Sequence, residues 1–170
     1  DDTTAIICLQ QALRCRDIQT SGNDTLGAFY ANPASLDTAS YCEASETWAQ
    51  LAVCYRQLGK HTASLRAYEM AHSVSNGNLS PGTLCSWAQV DLDLGLYEDA
   101  ADLCSKVLSL ENSTDIRHMA AYIEGEALLF LARDCMNEGK FGLSLHYLES
   151  AIKRISSLSI EEKSKSAKNH

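Results

Sequence analysis

The chain has 170 residues, of which 45% are hydrophobic and 21% charged, and this balance predicts one folded domain with a buried core. Its 14 Lys and Arg face 22 Asp and Glu, which gives a formal net charge of -8. A surface of that sign repels phosphate backbones and anionic lipids, so we expect no nucleic-acid partner and no membrane partner. The longest apolar run, residues 127–132, is far shorter than the roughly 20 residues of a membrane span.

Two segments precede the helical repeats of residues 37–156. Residues 1–16 carry apolar positions at helical spacing and are predicted to be the second helix of a preceding repeat. The first residues show no secretory or mitochondrial signal, so we interpret the chain as a piece of a longer protein. Residues 17–36 are polar and small, which predicts a loop. Two interpretations of this loop are open. It is disordered or packs without a specific role, or it is a functional loop that carries Phe29 and Tyr30.

Residues 37–156 contain three copies of a helix–turn–helix pattern. In each copy a glycine separates two apolar helical stretches, because glycine lets the chain turn without a Cβ penalty. Five positions later comes a small residue, which lets the second helix approach the first closely. The glycines are Gly59, Gly95 and Gly139, and the small residues are Ser64, Ala100 and Ser144.

Apolar stripes accompany these turns. The first helices are predicted to begin near Trp48, Leu84 and Ile116. The clearest stripe of a second helix falls at i, i+3, i+4, i+7 and i+8; it consists of Ala100, Leu103, Cys104, Val107 and Leu108. Residues 157–170 are rich in Ser and Lys and are predicted to be a frayed C-terminal tail.

Cysteine usage favours a reducing compartment. The seven cysteines form an odd set without a C-x-x-C pair, and most lie in helical patterns where a small apolar residue would serve. We interpret them as buried free thiols in a cytoplasmic or nuclear protein, with disulfides or metal as the alternatives. Three Asn-x-Ser/Thr sequons, one of them at Asn23, are weak evidence for secretion instead.

The residues of catalytic and metal sites do not occur in the patterns that such chemistry needs. The glycines lack the flanking residues of a phosphate-binding loop, the five histidines have no ligand-spaced partner, and no G-x-S-x-G elbow occurs. We therefore expect no enzyme, no cofactor and no metal. A cluster of carboxylates is interpreted as a solvated acidic face, with a patch for a basic peptide as the alternative; it comprises Asp91, Asp93, Glu98, Asp99 and Asp102.

The pattern resembles the tetratricopeptide repeat family. The best copy has Trp48, Leu51, Ala52, Tyr55, Gly59, Ser64, Tyr68 and Ala71 at that family's spacing. The second copy keeps Ala88, Gly95, Tyr97 and Ala100, and the third keeps Ala132, Gly139, Phe141 and Ala151. Glycine spacings of 36 and 44 residues, against the family's roughly 34, indicate degenerate repeats. The resemblance implies an all-α solenoid of antiparallel helix pairs.

The resemblance also implies a concave groove lined by the first helix of each pair. Its polar positions are the predicted partner-binding residues: Arg56, Gln57, Gln89, Asp93, Arg133 and Asn137. They alternate with Val53, Cys85 and Leu129. One subgroup of the family holds the C-terminal carboxylate of heat-shock chaperones with Lys, Asn and Arg. The matching positions here carry no cation, so that partner is excluded; they are Ala49, Val53, Ser86, Glu126 and Phe130.

The sequence thus predicts a non-catalytic interaction scaffold that binds a protein, a peptide or neighbouring segments of its own parent chain. The alternative is a helical arm of a large enzyme whose catalytic domain lies elsewhere. Separase and the FAT regions of phosphatidylinositol-kinase-like kinases have loosely similar irregular helix pairs. Irregular repeat lengths are more typical of that alternative than of a compact adaptor.

Overall fold

The computed structural model describes Ile7, Gln10 and residues 38–166 apart from Asn112, with side chains described for Ile7, Gln10 and, again apart from Asn112, residues 44–156. Within these residues the chain forms six α-helices and no strand. They are α1 (Thr38–Gln57), α2 (His61–Val74), α3 (Pro81–Leu94), α4 (Tyr97–Leu110), α5 (Thr114–Asn137) and α6 (Phe141–Ser166). The predicted all-α class is confirmed. The predicted loop at 17–36, and the helix at 1–16 apart from the helical Ile7 and Gln10, lie outside the described residues.

The chain divides into two compact units, Asp1–Leu79 and Ser80–His170. The first contains the hairpin of α1 and α2, which pack against each other. The second contains α3 to α6. In it, each helix packs against the next along the chain, and α3 also contacts α5.

The first helix is longer than predicted. It begins at Thr38 instead of near Trp48, because no glycine or proline interrupts residues 38–58. Its early turns also have a packing partner: Ala44 and Ser45 are buried, and the Ser45 hydroxyl donates to the carbonyl oxygen of Ala71 on α2 at 3.1 Å. The sequence pattern missed these turns because their buried residues are small and not strongly apolar.

The core of the first unit forms between the facing sides of α1 and α2. Leu51 is buried, with Trp48 and Tyr55 packed against it. Tyr68 of α2 is fully buried as well. At the edge of this core the Gln10 amide donates to the Tyr55 hydroxyl at 2.8 Å, which ties the helical residue Gln10 to α1.

All three predicted glycine turns have the same geometry. Gly59, Gly95 and Gly139 have φ of +70°, +79° and +76°, the left-handed region that side chains with a Cβ disfavour. The residue after each glycine donates its backbone N–H to a carbonyl five positions earlier, at 2.8 to 2.9 Å. This hydrogen bond closes the C-terminal turn of the first helix in each pair, as in a Schellman motif.

The small residues after these turns lie where the sequence predicted. Ser64, Ala100 and Ser144 are all buried. The Ser64 hydroxyl donates to the carbonyl oxygen of Ala52 at 2.7 Å. Since the side chain of serine is only one oxygen atom larger than that of alanine, this contact satisfies a buried polar atom without separating the helices.

The second unit starts with a well-formed helix cap and ends with a long helix. The Ser80 side chain accepts a hydrogen bond from the Thr83 backbone N–H at 3.2 Å, and Pro81 occupies the first turn of α3. At the other end, α6 continues as far as Ser166, past position 157 where the predicted tail begins. No helix among the described residues is long and apolar enough to cross a membrane.

Candidate partner-binding surface

The six predicted binding residues lie on three helices, two in each. Arg56 and Gln57 end α1 in the first unit, whereas α3 carries Gln89 and Asp93 and α5 carries Arg133 and Asn137 in the second unit. The side chains of Gln57, Asp93, Arg133 and Asn137 are exposed, and those of Arg56 and Gln89 are partly exposed.

Within the second unit the predicted residues form two pairs at i and i+4. Gln89 lies one turn before Asp93, and Arg133 one turn before Asn137, so each pair lies on one face of its helix. Their helices, α3 and α5, contact each other.

One of the predicted apolar neighbours lies elsewhere. Val53 and Leu129 are exposed, as expected for residues of a binding surface. Cys85 is fully buried in α3, so its assignment to the groove was wrong. The reason is its position directly after Leu84 and three residues before Ala88, both of which are core residues of the same helix.

An aromatic stack supports Arg133 on α5. The rings of Tyr97, at the start of α4, and Phe130 are stacked with centroids 4.8 Å apart and planes 16° apart. The Arg133 guanidinium carbon lies 4.8 Å from the Phe130 ring centroid, a cation–π distance. Arg133 Nε also lies 3.4 Å from Asp134 Oδ1. The sequence analysis missed this stack, although the i, i+3 spacing of Phe130 and Arg133 could have suggested their contact.

A partly buried ion pair joins α5 to α6. The Glu124 side chain is 4% exposed, and its Oε1 accepts hydrogen bonds from Ser105 Oγ at 2.7 Å and Arg154 Nη2 at 3.0 Å. Arg154 Nε lies 2.5 Å from Glu124 Oε2. The pair borders an open cleft of about 370 Å³, which is also lined by Leu128, Ser150 and Lys153. Through these contacts Glu124 connects three helices, α4, α5 and α6.

The predicted acidic face is only partly correct. Asp93, Glu98, Asp99 and Asp102 are exposed, whereas Asp91 is 2% exposed in the core of α3. Leu84, Ala88 and Asp91 fall at i, i+4 and i+7, the spacing of a buried stripe, and this spacing could have identified the buried carboxylate.

The described thiols agree in part with the interpretation of the cysteines. Cys54, Cys85, Cys104 and Cys135 are free, and the middle two are fully buried. Burial raises the pKa of Cys104 well above its usual range, and the neighbouring acidic groups, among them Cys85 and Glu124, add to the shift. Burial also raises the pKa of Cys85. Both thiols are therefore neutral core groups with low nucleophilicity.

Among the described residues, no group of three or more His, Cys, Asp or Glu side chains is arranged to hold a metal ion. No protein-family model matches the chain, and a search of curated proteins gives no significant match.

Proposed function

We propose that the chain is a non-catalytic protein–protein interaction scaffold, a segment of a tetratricopeptide-like superhelix that binds a peptide or protein on its first helices. Two features support the repeat assignment. The glycine turn recurs three times with one hydrogen-bond geometry, and the helices of the second unit pack successively. Successive packing of helical hairpins is how a solenoid buries a continuous core.

The observation that carries the binding proposal is the exposed position of Arg133 over the Phe130 ring. Arginine and aromatic side chains are enriched in protein interfaces and among the residues that dominate binding energy. Asn137 and the Asp93 carboxylate supply hydrogen-bonding groups on the same two helices. This combination fits a polypeptide ligand with both apolar and polar side chains.

Site-specific crosslinking in cells can identify such a ligand. A photo-reactive amino acid is placed at Asn137 on the proposed surface, or at Asp102 on α4 as the control position. We expect a polypeptide to be captured from position 137 and not from position 102, with both variants folded by circular dichroism. Equal capture from both positions would contradict the proposed surface.

The captured polypeptide then allows a quantitative test with purified components. Replacing Arg133 and Asn137 by Ala should weaken binding at least about tenfold, since an interface arginine often contributes more than about 1 kcal/mol. The melting temperature should stay within a few degrees. Charge reversal at the exposed Glu98 and Asp102 is the matched control and should change neither quantity. Normal binding by the double variant, together with loss of binding in the control, places the interface on another face.

A further inference from the structure

The hairpin of α5 and α6 exposes an unusually large set of apolar side chains. Their exposed fractions run from 47% to 71%. On α5 they recur every seven residues, and on α6 two of them are also seven residues apart, the interval of helices that pack side by side. We call this set the hairpin patch; it consists of Tyr122, Leu129, Met136, Phe141, Leu145, Ile152 and Ile155.

Two contacts show that both halves of the hairpin patch lie on one side of the hairpin. Arg154 reaches Glu124, whereas Ile155 lies against the next residue, with its Cγ1 3.3 Å from the Cβ position of Gly125. At about 100° per residue, the patch residues of α5 lie within about 60° of Gly125, on the side away from Glu124. The same geometry places the patch residues of α6 within about 80° of Ile155, on the side away from Arg154. The two stripes are therefore adjacent.

The size of the hairpin patch exceeds what a monomer usually exposes. An aromatic side chain carries roughly 150–250 Å² of surface and an aliphatic one somewhat less, so the exposed parts of the seven amount to an area on the order of 700 Å². The largest apolar patch of a typical monomer is about 300–600 Å². A stable protein interface buries about 800 Å² on each partner. The patch thus has nearly the area that one side of a dimer needs.

We infer that the hairpin patch binds a second copy of this chain, so that two α5–α6 hairpins pack face to face around a two-fold axis. The patch contains no charged residue, so two identical patches can meet without like charges at their centre. A two-fold axis makes the interface self-complementary, and it closes the assembly at two copies.

Light scattering of the purified chain over about 1 to 100 µM tests this inference directly. The wild-type mass should rise to that of a dimer. Replacing Leu145 and Ile152 by Glu should raise the dissociation constant at least about tenfold, because each substitution puts a charge into the apolar centre. The matched control replaces Leu96, the N-cap residue of α4, and Leu110, its last residue, by Glu; both are exposed apolar residues outside the patch, and this variant should remain dimeric. A monomeric wild type, a larger assembly, or a dimer that survives the patch substitutions overturns the inference.

A second measurement uses the wild-type chain and does not depend on how a variant folds. Hydroxyl-radical labelling is compared at concentrations below and above the association midpoint. Met136 and Phe141 should be protected at the higher concentration, whereas the exposed Leu110 should label equally at both. If residues of another face are protected while the labelling of the hairpin patch does not change with concentration, the inference is overturned. Neither measurement involves the polypeptide ligand of the proposed function, so the two proposals can fail separately.

Discussion

The hydroxyl of Ser144 on α6 donates a hydrogen bond of 2.8 Å to the carbonyl oxygen of Ala132 on α5. The corresponding residues of the first unit make the same contact, from Ser64 to Ala52. In each case the donor lies twelve positions after the acceptor and five after the turn glycine. At the equivalent position of α4 the residue is Ala100, which is equally buried and needs no hydrogen bond. A small side chain is therefore the shared requirement.

Substitution of Ser144 separates the effects of size and hydrogen bonding. Ser144→Ala should lower the free energy of unfolding by about 1 kcal/mol, because it removes one buried hydrogen bond. Ser144→Leu should cost at least about 2 kcal/mol, since the larger side chain also forces α5 and α6 apart. Urea unfolding followed by circular dichroism measures both. Ser109→Ala, which removes an exposed hydroxyl bonded to Lys106, is the control and should change stability by less than about 0.5 kcal/mol.

Two glycines three residues apart give a matched test of the turn. A Cβ at either Gly139 or Gly142 meets no atom within 4 Å, but only Gly139 has a positive φ, +76°. Gly139→Ala should therefore cost about 1 kcal/mol through backbone strain alone. Gly142→Ala lies in the first turn of α6 and should stabilise by up to about 1 kcal/mol, because alanine loses less backbone entropy. Effects of the same sign in thermal unfolding would show that the turn conformation is not the determinant.

The sequence predicted those parts of the fold that local rules control. Glycine turns and small packing residues recur at constant offsets, and so Gly59, Gly95 and Gly139 were located correctly. The start of α1 was missed because Ala44 and Ser45 give only a weak apolar signal. The division into two units was missed because it depends on contacts between helices and not on any local pattern.

The candidate site likewise combines features that the sequence predicts with features that depend on how the helices pack. Exposure of Asp93, Arg133 and Asn137 follows from helical spacing, which sequence reveals. The stacking of Tyr97 on Phe130 depends on how α4 crosses α5, and no spacing within one helix determines that crossing. The ion pair between Glu124 and Arg154 likewise joins residues thirty positions apart.

Removing one partner of the ion pair between Glu124 and Arg154 should lower the free energy of unfolding much more than removing both. Arg154→Met leaves the Glu124 carboxylate buried, with the Ser105 hydroxyl still donating a hydrogen bond to it, and we expect the free energy of unfolding to fall by about 2 to 3 kcal/mol. This is below the cost for a fully buried pair, because the Arg154 side chain is 39% exposed. Replacing Glu124 by Met as well should recover most of the loss, since the uncompensated charge is gone.

The control for the ion pair is Lys153→Met, which removes an exposed charge from the neighbouring position. It should change the free energy of unfolding by less than about 0.5 kcal/mol. A double variant that is less stable than Arg154→Met would mean that Glu124 stabilises the hairpin without its partner.

The buried thiol of Cys104 predicts a loss of stability at alkaline pH. Burial raises its pKa in the folded state far above the reference value of 9.0. As pH rises past about 9, the unfolded chain loses this proton and the folded chain keeps it. The unfolded state then binds fewer protons, so the free energy of unfolding decreases by up to about 1.4 kcal/mol per pH unit for this one group.

Denaturant unfolding at a series of pH values from neutral to alkaline measures the slope. Cys104→Ala should make the slope shallower, whatever its effect on stability at neutral pH, whereas Cys135→Ala, at a partly exposed position, should leave it closer to wild type. If the three proteins lose stability in parallel, the titrating groups lie elsewhere and Cys104 does not contribute to the pH dependence.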